Sequence, residues 1–476
     1  MTSLLLDTSD TRPVHFIGIA GAGMSALAEL LIRRGVSVAG TDANPAGAPD
    51  LVALGVKASA HDERLVASAR AVVYSSAISA QHPEMAAARA LGLPVVRRAE
   101  ALAQAVSGGT LVAIAGTHGK TTTTVMTTEA LAAAGRNPTG VVGGRVRSWG
   151  GNLRLGDITS SHPTYVVEAD EYDRSFLALD PTVAVVLNVE ADHLDIYRDL
   201  DDIERTFEAF CAPARVVVRC ADDHGAMVLR LANQQEVIAY SAVVDHDVTA
   251  GAAPDNETNA TDARLVADGL VLSPDGSRFR VVFDGDVLGD IALSVPGLHN
   301  VRNAMAAIGA GLALGCTVPA MAPGLAAFRG VERRFQRLGE VRGVQVVDDY
   351  AHHPTEVSAT LAAARHAFPG HRLVLAFQPH LYSRTRDLQQ EFAHALAATD
   401  VLFLCDVYGA RETPIDGVTS ALIGHRVPRE CLQWSGARTA LATALHAFVR
   451  EGDIVITMGA GDITTTGPEL LAALRS

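Results

Sequence analysis

Lysine is nearly missing from this 476-residue chain: of its 39 basic residues, only Lys57 and Lys120 are lysines. Where arginine carries almost all positive charge, a retained lysine marks a place where a compact, mobile ammonium is hard to replace by a rigid guanidinium fork. Positive charge is itself in deficit. The formal net charge of −14 excludes nucleic acid as a bulk partner, because neutralising a phosphate backbone needs a basic face. Any anionic ligand must be held by local groups. The five cysteines, Cys211, Cys220, Cys316, Cys405 and Cys431, are odd in number, scattered and never in a CxxC pair. Neither a disulfide framework nor a zinc site is expected from them. No apolar run approaches the ~18 residues of a membrane span, so no membrane insertion is expected. The start MTSLLLDTSDTRP has neither a charged leader nor a long apolar core, so a cytoplasmic location is expected.

What is present is apolar enough to fold: hydrophobic residues make up 48% and charged residues 19%. The length suits two to four domains of roughly 100 to 200 residues each. Short β-branched runs alternate with alanine-rich helical stretches through VHFIGIA, MSALAELLIRRG, VSVAGTD, AVVYSSA and HPEMAAARALG, the pattern of βαβ units in a parallel sheet. SGGT near Val106 to Thr110 breaks it, and LVAIAG starts a second unit. TAGAAPDNETNATDA, residues 249–263, reads as a surface loop inside that unit. After a helix around Val301 to Leu314, strand and helix alternate again through VQVVDDY, RLVLAFQ, VLFLCDVY and GDIVITMGAGD. Three tandem α/β domains are expected, at 1–107, 108–330 and 331–476, with ligands in clefts at the carboxyl ends of strands.

Gly116, Thr117, His118, Gly119, Lys120, Thr121 and Thr122 follow a strand and open a helix. Small residues there let backbone N–H groups surround phosphates, the helix N-terminus adds positive potential, Lys120 reaches the outer phosphates and Thr121 can bind a magnesium ion. The strict G-x-x-x-x-G-K-[ST] pattern is not met, since Ile114 stands at the first glycine; a shorter G-T-x-G-K-T loop remains. The alternative is a glycine-rich turn with an incidental lysine. Downstream, VVEADEYD carries Glu168, Asp170, Glu171 and Asp173, and VAVVLNVEADHLD carries Asp192, His193 and Asp195, each after a strand. Such groups can supply magnesium ligands that bridge to ATP oxygens, or can be solvated acidic loops. No other lysine lies in this domain, so a carbamylated lysine cannot complete a two-metal site.

Gly18, Ala20 and Gly23 fall at the three positions of G-x-G-x-x-G after the strand HFIGIA, with Gly21 in addition, and Asp42 follows near the end of the next strand. That pattern suits a diphosphate nucleotide, with the acid on a ribose, and a nicotinamide-dependent oxidoreductase is one reading of it. A purely structural tight turn is another.

Taken together and in order, IGIAGAGMS, AGTHGKTTTT, VEADEYDRSFL, ADHLD, GLHNVRNA, GVERRF, DDYAHHPTE, FQPHLYSRT and GAGD resemble the Mur ligases of peptidoglycan synthesis over nearly the whole chain. The resemblance implies a Rossmann-like N-terminal domain for a UDP sugar, a phosphate-loop central domain for ATP and Mg2+, and a Rossmann-like C-terminal domain that closes over both. It implies ATP-dependent amide formation between the lactyl carboxylate of UDP-N-acetylmuramate and L-alanine through an acyl phosphate. By motif, Lys120, Glu168, His193 and Arg334 would be catalytic, with Thr121, Glu168 and His193 on the metal. Gly116 through Thr122, Asn300, Asn303, Arg334 and Asp349 would bind ATP. Gly18, Ala20, Gly21, Gly23, Met24, Ser25, Asp42, Ser75, Ser76 and His352 would bind the UDP sugar, and His380 and Arg384 the amino acid's carboxylate, for which a guanidinium fork is suited. The chain departs from the family's pattern at Ala20, where glycine is usual, and at Leu381, where a second arginine is frequent; either Arg386 compensates or the carboxylate is held by fewer charges. Transfer of a preformed tripeptide to the same sugar and a non-catalytic UDP-sugar sensor are the remaining alternatives.

Overall fold

The computed structural model describes residues 4–193, 196–242, 263–410 and 412–476. The expected loop at 249–263 falls almost wholly outside these, as does Asp195. The chain divides into two compact units, one of residues 1–270, 279–291 and 302–328, the other of 271–278, 292–301 and 329–476. No helix among the described residues is long and apolar enough to cross a membrane.

Three sheets carry the fold. The first contains β1 (Val14–Ile17), β2 (Val38–Thr41), β3 (Lys57–Ser59), β4 (Ala71–Tyr74) and β5 (Val95–Arg97), all parallel in the order β3-β2-β1-β4-β5. The second contains β6 (Thr110–Ala115), β7 (Thr139–Val146), β8 (Gly151–Arg154), β9 (Thr164–Glu168), β10 (Val183–Val186), β11 (Val216–Cys220), β12 (Glu236–Ser241), β13 (Leu265–Ser273), β14 (Gly276–Phe283) and β15 (Asp286–Leu293). Their order is β15-β14-β13-β12-β11-β10-β6-β9-β7-β8, with β6 parallel to both β9 and β10. The third contains β16 (Gln336–Val341), β17 (Val344–Asp349), β18 (Arg372–Phe377), β19 (Val401–Cys405), β20 (Leu432–Gly436) and β21 (Asp453–Met458), ordered β16-β17-β21-β18-β19-β20 and parallel except for β16.

Side-chain alternation sorts the third sheet into two apolar layers. Val347, Leu373, Leu375, Phe377, Leu402 and Ile456 pack with the Pro354–Ala367 and Gln389–Leu396 helices, while Val346, Val374, Ala376, Phe403 and Val455 pack with the Arg438–His446 and Thr466–Arg475 helices. Strands buried on both faces read as continuous Val/Ile/Leu runs, which is why LVLAF, VLFLC and IVITM were visible in sequence.

The Lys120–Ala133 helix is an unusual one, since Thr121, Thr122, Thr123, Thr124, Thr127 and Thr128 are all buried in it. A β-branched run of hydroxyls competes with helix hydrogen bonding, yet here Thr124, Thr127 and Thr128 donate to the carbonyls of Lys120, Thr123 and Thr124 at 2.7–2.8 Å. The hydroxyls of these three are satisfied within the helix itself. In the first sheet, Glu84 is 1% exposed and accepts hydrogen bonds from Thr41 Oγ1 at 2.8 Å and the Asp62 N–H at 3.1 Å, with His15 Nε2 at 2.8 Å and His61 Nδ1 at 3.0 Å.

Candidate active site

The phosphate-loop residues sit at the carboxyl end of β6, and the sheet order explains what surrounds them. Because β6 lies between β9 and β10, the segments leaving all three strands emerge side by side. Gly116 (φ 145°) and Gly119 (φ 84°) take backbone conformations that L side chains avoid. A Cβ on Gly119 would lie 2.8 Å from Asn303 Oδ1, so the loop packs directly against the Leu298–Ala313 helix. The loop is pinned from the β10 side by Asn188. Its Oδ1 accepts the His118 N–H at 2.7 Å and its Nδ2 donates to the His118 carbonyl at 3.2 Å, while Thr117 Oγ1 accepts the Glu190 N–H at 3.0 Å. Sequence reasoning passed over Asn188, whose only signal was a polar residue closing an apolar strand.

The carboxylates of the β9 loop divide their tasks. Glu168 accepts the Thr121 hydroxyl at 2.9 Å and the Gly143 N–H at 2.7 Å. Glu171 turns inward, 4% exposed, and meets the Lys120 ammonium at 2.9 Å and 2.8 Å through its two oxygens. Asp170 and Asp173 turn outward to Arg98 and Arg97, at 3.4 Å and 3.7 Å. Left-handed backbone at Asp173 (φ 55°) and Arg174 (φ 59°) accompanies this divergence. Burial favours the neutral forms of both Lys120 and Glu171, but their mutual attraction prevails: Lys120 titrates above its ordinary range and Glu171 below its own.

His193, also left-handed (φ 53°), places Nε2 3.6 Å from Glu171 and packs its ring edge-on to Tyr172. Its Nδ1 is buried and lacks a hydrogen-bond partner among the described residues. A hydroxyl on Thr121, a carboxylate on Glu168 and a buried imidazole nitrogen without a partner are a donor set that fits a divalent cation.

In the first domain the G-x-G-x-x-G segment turns between β1 and the Ala22–Arg33 helix. Asp42 accepts the Ala20 N–H at 2.9 Å and the Asn44 N–H at 2.8 Å, so its carboxylate shapes the loop itself. Met24 is 2% exposed in the apolar core, which leaves only its backbone to face a ligand. A Cβ on Gly23 would lie 3.1 Å from the Arg98 guanidinium. Ser75 and Ser76 follow β4 directly. Ala20 and Ser25 line a cleft together with Asp50, Arg145 and Asn152, the last three of which the sequence did not single out. Arg145 bonds Asp50 at 2.6 Å across it.

Of the remaining candidates, Asp349, His352, His380 and Arg384 lie at or just beyond the carboxyl ends of β17 and β18, Arg334 just before β16, and Asn300 and Asn303 in a separate helix. Asp349, 5% exposed, closes β17 and accepts the Phe335 and Ala351 N–H groups at 2.7 Å each. Burial raises its pKa to about 6 despite the nearby Arg334. Arg334 lies over the Tyr350 ring, 5.2 Å from its centroid, and bonds Glu356 at 3.2 Å. Glu356 also accepts the His352 N–H at 2.9 Å, making it a shared anchor that the sequence reading missed. His352 meets His380 edge to face at 5.6 Å, and His380 stacks on Tyr408 at 5.8 Å. Arg384 is 6% exposed in the Tyr382–Asp387 helix. Leu381 is 5% exposed at that helix's start, whereas Arg386 points outward to Asp387 at 2.7 Å. Asn300 and Asn303 are 7% and 8% exposed in the Leu298–Ala313 helix, with Asn300 donating to the Pro296 carbonyl at 2.7 Å.

Three family descriptions match the chain in order: "Mur ligase family, catalytic domain" over residues 13–110, "Mur ligase middle domain" over 114–311 and "Mur ligase, glutamate ligase domain" over 333–461. UDP-N-acetylmuramate--L-alanine ligase of Streptomyces coelicolor is 43% identical over 486 residues, covering 98% of this chain and 99% of that one. The protein of the same name from Saccharopolyspora erythraea is 44% identical over 477 residues, covering 97% and 93%. Among solved structures, UDP-N-acetylmuramate-alanine ligase from Thermotoga maritima superposes with a TM-score of 0.79 at 26% identity, covering 97% of this chain and 99% of that one. With three α/β domains matched in sequence and relatives above 40% identical along nearly the full length, the chain belongs to the Mur ligase family.

Proposed function

We propose that this protein joins L-alanine to the lactyl carboxylate of UDP-N-acetylmuramate at the expense of ATP, in the cytoplasm, using domains bounded at 1–107, 108–330 and 331–476. The observation that carries the reading is the loop after β6, where Lys120 meets Glu171, Thr121 meets Glu168, and a half-buried His193 lies 3.6 Å from Glu171. The names of the curated relatives support the choice of substrates.

ATP with Mg2+ supplies the phosphoryl group that activates the carboxylate as an acyl phosphate, from which the alanine amine displaces phosphate. Thr121, Glu168 and His193 would hold the cation. Two anions must meet in the first step, so Lys120 and Arg334 offset their repulsion and stabilise charge spread over the phosphoryl oxygens. Asn300, Asn303 and Asp349 would fix the adenosine, and backbone N–H groups from Gly116 to Thr122 the phosphates. The Gly18–Ser25 loop, Asp42, Ser75, Ser76 and His352 would seat the UDP sugar. His380 and the buried Arg384 would pair with the amino acid's carboxylate and so orient its amine.

Phosphate release by the purified protein is measured with Mg-ATP and UDP-N-acetylmuramate, adding alanine, glycine, serine or the tripeptide in turn, with mass spectrometry of the product. Release that depends on L-alanine, with a product heavier by one alanyl residue, is expected. Release with the tripeptide alone would move the protein to peptide recycling, and none with any acceptor would overturn the ligase reading.

A further inference from the structure

An ammonium group has three N–H donors, and the contacts of Lys120 use all of them. Nζ lies 2.7 Å from the Gly116 carbonyl, 3.1 Å from the Thr117 carbonyl and within 2.9 Å of the Glu171 carboxylate. Two of these acceptors are backbone of the loop that must wrap a phosphate. The third is the charged one, and it belongs to a side chain. Glu171 is itself well seated, since its carbonyl accepts the hydroxyl of Tyr197 at 2.6 Å and Tyr197 is 2% exposed.

We propose that Glu171 is a positioning residue for Lys120: its carboxylate holds the ammonium across the loop and yields it to the phosphates of the nucleotide. The inference rests on the reading of residues 116–122 as the ATP phosphate site. It follows from exchange of partners. A phosphate oxygen that takes an N–H from Lys120 must displace one of the three acceptors, and the carboxylate repels an incoming anion while the two carbonyls do not. Glu171 therefore sets how strongly the nucleotide is held, through Lys120 and not through direct contact.

Glu171→Gln keeps the side chain's size and removes its charge. Dissociation constants for metal-free ATP and for ADP are measured by calorimetry on the full chain in four forms: parent, Glu171→Gln, Lys120→Met and the double variant. Nucleotide binding is expected to tighten about tenfold in Glu171→Gln, the order of one charge-assisted hydrogen bond. It is expected to change little when the same substitution is made in Lys120→Met. Glu171→Asp, with a shorter reach, is expected to fall between parent and Glu171→Gln. Weaker or unchanged binding in Glu171→Gln overturns the proposal, as does equal tightening in the Lys120→Met background. A parent chain that binds no adenine nucleotide overturns the reading of the loop as well, which separates the two failures.

Discussion

Glu84 offers a stability test that does not touch the proposed chemistry. Its carboxylate is 1% exposed, and burial alone would push its pKa up. Hydrogen bonds from His15, Thr41 and His61 more than reverse that and bring it to about 2, against an ordinary 4.5. A folded-state pKa below the unfolded value means that the ionised group stabilises the fold above pH 4.5, and that this contribution is lost as pH falls toward 2. At about 1.4 kcal/mol per pH unit the interval amounts to about 3 kcal/mol, falling to roughly half near pH 3. Glu84→Gln preserves shape but removes the charge that His15 and His61 face. Hydrogen exchange of the full chain, followed in β1, β4 and the Pro83–Ala90 helix, is expected to show opening easier by about 3 kcal/mol at pH 7. The difference should shrink by about half at pH 3 after correction for intrinsic exchange rates. Equal protection of parent and variant at pH 7, or a difference indifferent to pH, would refute the argument.

Two further outcomes follow from the third sheet. Arg384→Ala should raise the KM for alanine by roughly tenfold or more, the scale of a lost charged hydrogen bond, while the KM for ATP stays put; steady-state kinetics that moved both alike would count against a carboxylate-binding role. Asp349 shows the opposite pH behaviour to Glu84. Its pKa is raised to about 6 from 3.8, so the folded chain holds a proton that the unfolded chain has lost, and stability falls as pH rises from about 4 through 6. Asp349→Asn should flatten that part of the melting-temperature profile, and an unchanged slope would exclude Asp349 as its source.

The sheets were legible because buried parallel strands leave long apolar runs, and the loop after β6 was legible because few sequences combine a strand, two flanking glycines and an isolated lysine. Glu168 was singled out through the resemblance to the Mur ligases, and in the structure it closes β9 and accepts the Thr121 hydroxyl. Four acids in VEADEYD looked alike, however, and only the backbone tells them apart: Glu171 turns to Lys120 while Asp170 and Asp173 turn to arginines. Met24 matched a motif and lies in the core, because the first turn of the Ala22–Arg33 helix must bury one face against the sheet. Asp42 matched a ribose-binding position, and its hydrogen bonds run to its own loop. Asn188 and Glu356 act through partners far along the chain or through backbone groups, which residue type and spacing alone do not reveal.

The scarcity of lysine gives the loop a chemical clock. Lys57 and Lys120 are the only lysine side chains open to an amine-directed reagent. Lys57 is exposed on β3, whereas the side chain of Lys120 is 14% exposed and tied to Glu171. Acetylation of Lys57 proceeds at the rate of an ordinary surface amine and serves as an internal standard. Acetylation of Lys120 waits for its ion pair to open, so the ratio of the two rates, read from two peptides, measures how often the loop releases its cation.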